Sequence, residues 1–74
     1  MTTDKELLAR ITIIPGLMGG KPTIRANRFT VMDIIEMIDS GMSHKQILRE
    51  HPILEPDDIP AAILYHKNDS NAST

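Results

Sequence analysis

Val31, Ile34, Ile35 and Ile38 recur at i, i+3, i+4 and i+7. That spacing puts four apolar side chains on one face of a helix. It starts at Thr30 and has no counterpart earlier in the chain, so the sequence divides there into an irregular N-terminal part and a helical remainder. Thr30, with Asp33 three residues on, suits the helix start. Ser40-Gly41 suits its end, because glycine accepts the left-handed conformation that closes a helix.

Two further helices follow. Ser43 to Gln46 has the spacing of a capping box and predicts a helix over about 44–50 that buries Ile47 and Leu48. His51-Pro52 ends it, since a residue before proline avoids helical geometry. Ile59, Ala62, Ile63 and His66 predict the last helix. A start at Asp57 or Asp58 leaves Pro60 in the first turn, where its missing N–H costs nothing. Before Thr30, Thr3 to Glu6 predicts a short capped helix over 4–9 with Leu7 and Leu8 facing inward. The β-branched run Ile11 to Ile14 and the stretch Pro22 to Arg25 predict a small ribbon. Gly19 and Gly20, followed by Pro22, form the structural turn between its arms.

The expected fold is therefore mainly α: a three-helix, helix-turn-helix-like domain of the homeodomain or winged-helix kind with a short N-terminal β-ribbon at about 10–28. It occupies 1–66 as a single domain, and the polar stretch 67–74, KNDSNAST, is expected to be a disordered tail. Seventy-four residues bury only roughly 60–65% of the unfolded surface, so an oligomer or an obligate partner is expected. The absence of cysteine excludes disulfides and thiolate zinc sites. No apolar run is long enough for a membrane span or signal peptide, so a cytoplasmic location is expected.

Charge is unevenly placed. Residues 7–32 carry Arg10, Lys21, Arg25 and Arg28 with no acid, a net of +4, whereas 33–74 carry eight acids against Lys45, Arg49 and Lys67, a net of −5. Arg10, Lys21, Arg25 and Arg28 are the candidate partner- or nucleic-acid-binding residues. They could follow phosphates, or pair with carboxylates of a protein partner, such as the acidic metal site of a nuclease. They could also be no more than the charged edges of a turn. Gly20-Lys21 is followed by Pro22, which lacks the hydroxyl a Walker loop needs. Glu55, Asp57 and Asp58 at the start of the last helix argue against major-groove reading there and suit the helix dipole. His44, His51 and His66 match no zinc spacing. Met32, Met37 and Met42 read as core or interface filler rather than a cofactor pocket. No metal or cofactor is expected, and no catalytic combination stands out, so the chain reads as a binding protein and not an enzyme.

The run RITIIPGLMGGKPTIRANRFTV and the later GMSHKQILREHPILEPDDIPAAILYH resemble the bacterial domain of unknown function 433 family over about residues 7–66. The resemblance implies a homodimeric helix-turn-helix-like domain, similar to antitoxins encoded beside PIN-like nuclease toxins, with Gly20, Lys21, Pro22, Ile24, Arg25 and Arg28 at motif positions. On this view the chain binds and neutralises such a toxin, with possible autoregulatory DNA binding. The alternative is a stand-alone DNA-binding regulator. Two positions depart from the pattern. Ala26-Asn27 stands where the family usually has Gly-Thr, and Pro60 replaces an ordinary helix former, which predicts a shortened last helix.

Overall fold

The computed structural model describes residues 3–72. Helix α1, Asp4–Leu8, opens the chain; the Thr3 hydroxyl accepts from the Glu6 N–H. Strand β1, Ile11–Thr12, pairs antiparallel with β2, Thr23–Ile24, in the register Ile11 with Ile24 and Thr12 with Thr23. The Thr12 and Thr23 side chains meet at 3.0 Å, and Thr23 Oγ1 also donates to the Thr12 carbonyl at 3.1 Å. Thr23 can therefore be fully buried without an unpaired hydroxyl.

Between the strands the chain makes a short 3₁₀ turn at Met18–Gly20. Gly19 and Gly20 have φ of 67° and 80°, values that a side chain disfavours. Pro22 then directs the chain into β2, and its carbonyl accepts from the Val31 N–H at 3.0 Å.

Helix α2, Val31–Asp39, has a complete capping box at Thr30 and Asp33. Gly41 ends it as expected. The Gly41 N–H donates to the Ile38 carbonyl and the Met42 N–H to the Met37 carbonyl, the bond pattern of a Schellman cap. Helix α3, His44–Glu50, follows that corner and buries Ile47; Leu48 lies partly buried against the core. Helix α4, Asp58–Ala72, completes the helix-turn-helix-like set and packs against α2 and α1. The core joins Ile24 of the ribbon to Val31, Ile34 and Ile35 of α2, Ile47 of α3, Leu54, and Ile59 and Ala62 of α4. His51 meets Phe29 edge-on at the margin of this core, with ring centroids 5.1 Å apart.

Three details differ from expectation. α4 is not shortened by Pro60; it runs past His66 to Ala72, so the tail expected to be disordered is helical that far. Residues 67–72 contain neither Gly nor Pro, and extending an already anchored helix avoids the cost of nucleation. Residues 73–74 of that tail lie outside the described residues. The inward face of α4 holds Asp58, Ile59, Ala61 and Ala62, with Tyr65 against the core, while Ile63 faces outward. β1 is also shorter than the Ile11–Ile14 run, and both Ile13 and Ile14 are exposed.

Arg25 and Ala26 have φ of 50° and 61°, and the Asn27 N–H donates to the Ile24 carbonyl at 2.9 Å. Two successive positive φ values mark a type I′-like turn. Each non-glycine residue there costs about 1–2 kcal/mol. Ala26→Gly is therefore expected to stabilise the domain by about 0.5–1 kcal/mol, seen as a higher urea midpoint. A lower midpoint would contradict the strain argument.

Candidate functional site

The turn at Arg25 and Ala26 aims the Arg25 side chain back across the ribbon towards the start of α4. There it meets Asp58, which is 0% exposed. Arg25 Nε lies 3.2 Å from both Asp58 oxygens, and Nη2 lies 3.0 Å from Oδ2. Nη2 also donates to the Ile53 carbonyl at 2.7 Å. Arg10, just before β1, reaches the same carboxylate: its Nη1 donates to Asp58 Oδ1 at 3.0 Å and to Glu55 Oε1 at 2.7 Å. Asp57 Oδ2 is 3.7 Å from Arg10 Nη2. The Glu55 N–H closes the arrangement with a 2.7 Å bond to Asp58 Oδ2.

The four candidate cations are placed differently: Arg10 and Arg25 pair with carboxylates of their own chain, whereas Lys21 and Arg28 do not. Arg10 and Arg25, both partly exposed, are held against the start of α4 by the carboxylates of α4 and the segment before it. Their backbones are joined as well, the Arg25 N–H donating to the Arg10 carbonyl at 2.7 Å. Much of the contrast between the +4 and −5 segments is therefore neutralised within one chain.

Lys21 and Arg28 are exposed, with no ion pair or hydrogen bond to their side chains among the described residues. Lys21 borders a mostly apolar recess of about 130 Å³ that includes Met32 and Tyr65. Arg28 borders a wider, open groove of about 490 Å³ between Phe29, Met37 and His51, with Asp33, Glu36 and Ser40 alongside. Gly19, Gly20 and Pro22 shape the connection that carries Lys21 but border neither ion-pair cluster nor groove, apart from Pro22 at the small recess. Among the described residues no group of three His, Cys, Asp or Glu side chains could hold a metal ion.

The sequence reading passed over Asp58 as a site residue. The available signal was its phase: Asp58 precedes Ile59 and lies four residues before Ala62, so it shares their inward face. An inward carboxylate requires cations, and the acid-free segment 7–32 carries them.

Burial pushes the Asp58 carboxyl towards a higher pKa. The bonds from Arg25, the Glu55 N–H and Arg10 outweigh it, so the group ionises below the usual carboxylate range. Its contribution to stability is therefore complete above the unfolded Asp value of about 3.9. That contribution is lost as pH falls through the lower folded value, because the unfolded chain binds the proton first. The urea midpoint of the wild type is expected to drop between about pH 5 and pH 2, and less steeply in Asp58→Asn. At neutral pH Arg25→Met is expected to cost about 2–4 kcal/mol, somewhat discounted because Arg25 keeps part of its surface in water. Arg28→Met should stay within about 0.5 kcal/mol of wild type. Equal losses in the two variants would contradict this division of roles.

Residues 11–66 match the family described as protein of unknown function (DUF433). Among curated proteins none matches the chain. A crystal structure of a DUF433 member protein from Anabaena variabilis superposes with a TM-score of 0.80 at 29% identity, over 92% of this chain and 67% of that one. The family match takes in both strands, α2, α3, the start of α4, and both Arg25 and Asp58 of the ion-pair cluster; the chain belongs to the DUF433 family.

Proposed function

We propose that the chain is an antitoxin-like domain, acting as a homodimer, that binds and neutralises a cognate PIN-like nuclease, with DNA contact as an accompanying activity. Arg28 carries this reading. It is the motif arginine whose guanidinium has no partner among the described residues, whereas Arg10 and Arg25 are committed internally. An arginine on a short turn beside an open groove suits insertion into a carboxylate cluster, where its planar fork pairs in two-pronged fashion. In the metal site of a nuclease it would supply positive charge in place of the cation.

One feature favours the alternative, a stand-alone DNA-binding regulator. Lys45 and Arg49 are exposed one turn apart on α3, the helix that follows the Gly41 corner. Such residues can follow phosphates. Against this reading, Glu55, exposed, and Asp57, partly exposed, stand just before α4, where carboxylates disfavour a DNA backbone.

Co-expression with candidate PIN-like nucleases, followed by titration of any purified pair, separates the two. Arg28→Ala is expected to weaken nuclease binding about 10- to 100-fold, the size of a charged hydrogen-bonded contact, with the thermal melt unchanged. Retained affinity in Arg28→Ala would exclude its insertion into the nuclease site. For a DNA regulator, Lys45→Ala with Arg49→Ala should instead make the salt dependence of DNA affinity shallower by about 2 in logarithmic slope.

A further inference from the structure

β1 has one protected edge and one open edge. The Arg25 N–H to Arg10 carbonyl bond makes Arg10 and Arg25 a hydrogen-bonded pair. Alternation along an antiparallel ladder then makes Ile11 and Ile24 a non-hydrogen-bonded pair, with their backbone groups turned away from each other. On the β2 side those groups are satisfied: the Ile24 N–H donates to the Phe29 carbonyl, and its own carbonyl accepts from Asn27. On the β1 side nothing equivalent exists among the described residues. The Ile13 N–H and carbonyl have no backbone partner among the described residues. The side chains are uncovered too: Ile13 is 58% exposed, Ile14 40% and Met18 39%.

Edge strands that stay solitary are usually guarded by charge, a bulge or a covering segment. Here residues 11–20, ITIIPGLMGG, contain no charged side chain. A charged partner finds nothing to pair with along this edge. A second copy, by contrast, brings no like-charge repulsion to a two-fold axis, and its isoleucines meet isoleucines. Pro15, which has no N–H to donate, limits the strand length that can pair, so the contact closes at two copies.

We infer that the Ile13–Ile14 segment pairs antiparallel with the same segment of a second copy, joining the two ribbons into one four-stranded sheet. This specifies the interface of the homodimer in the functional reading above, and it rests on that dimeric part alone. Three exposed apolar side chains per copy place the contact at the small end of protein interfaces, so dissociation in the micromolar range is expected.

Sedimentation equilibrium of the full chain, from micromolar to hundreds of micromolar, tests it. The wild type should move from monomer to dimer, and Ile13→Lys with Ile14→Lys should remain monomeric with an unchanged helical spectrum and cooperative melt. The chain has no cysteine, so Ile13→Cys and Ile14→Cys, prepared singly, provide a second readout. At least one should form a disulfide-linked dimer under mild oxidation, whereas Met32→Cys, exposed on α2, should not. A wild type that stays monomeric throughout overturns both the dimer and this interface. A wild-type dimer that survives the lysine substitutions, or in which neither isoleucine position cross-links, overturns the interface and leaves the dimer standing. Should the lysine variant unfold, the cysteine pattern decides.

Discussion

Asp58 is fully buried and ionised, and such a group is tolerated only when its partners replace the water it has lost. Two arginines from the N-terminal part and one backbone N–H from the segment before α4 supply those partners. The bond set therefore joins three places distant in sequence: the entry to β1, the turn after β2 and the start of α4. The two-residue strands gain little from their own ladder. Held by Arg10 and Arg25, they can seat Ile24 in the core between α2 and α4.

The strain at Arg25 and Ala26 follows from the same requirement. A relaxed turn would point Arg25 elsewhere, and a left-handed pair of residues brings it back over the ribbon to Asp58. The cost is offset locally, since the Ala26 N–H donates to Thr12 Oγ1 at 2.8 Å and the Arg25 N–H to the Arg10 carbonyl. The rotation of α4 is set by this contact as well. With Asp58 fixed inward, Ala61, Ala62 and Tyr65 must follow it to the core, and Ile63 is carried to the outside. Hydrophobic periodicity alone put Ile63 and His66 inward, because it gave the carboxylate no weight as a core residue.

Legibility in the sequence divides along the same line. The helices were readable because their caps are local chemistry: Thr30 with Asp33, Ser43 with Gln46, Gly41 as terminator. The ribbon and its glycine turn were readable from β-branched residues and from Gly19 and Gly20. What sequence patterning left out is non-local. Arg10 and Asp58 are 48 positions apart, and beyond the inward phase of Asp58 only an acid-free segment facing an acid-rich one hints at the pair. For that reason the spacing of Arg10, Lys21, Arg25 and Arg28 left open which of them pair within the chain. Four cations close in sequence are separated by folding into two paired within the chain and two that face outward. The continuation of α4 beyond His66 depends on tertiary anchoring of the helix start, which residues 67–72 do not encode themselves.

Arginines in one short motif can thus serve different ends, and burial separates them better than spacing does. A guanidinium that reaches a fully buried carboxylate and a carbonyl, as Arg25 does, cannot be withdrawn to meet a partner without leaving Asp58 uncompensated. Arg28 has no such debt. Its position three residues later, past the left-handed pair, puts it beside the Phe29 and Met37 groove, where contact with a partner displaces only water. The strained turn therefore has two outcomes: it turns Arg25 inward to close the fold, and it leaves Arg28 outward. A partner surface in this chain is best sought at Arg28 and the uncovered β1 edge, where polar or apolar groups remain unmatched after the internal ion pairs have formed.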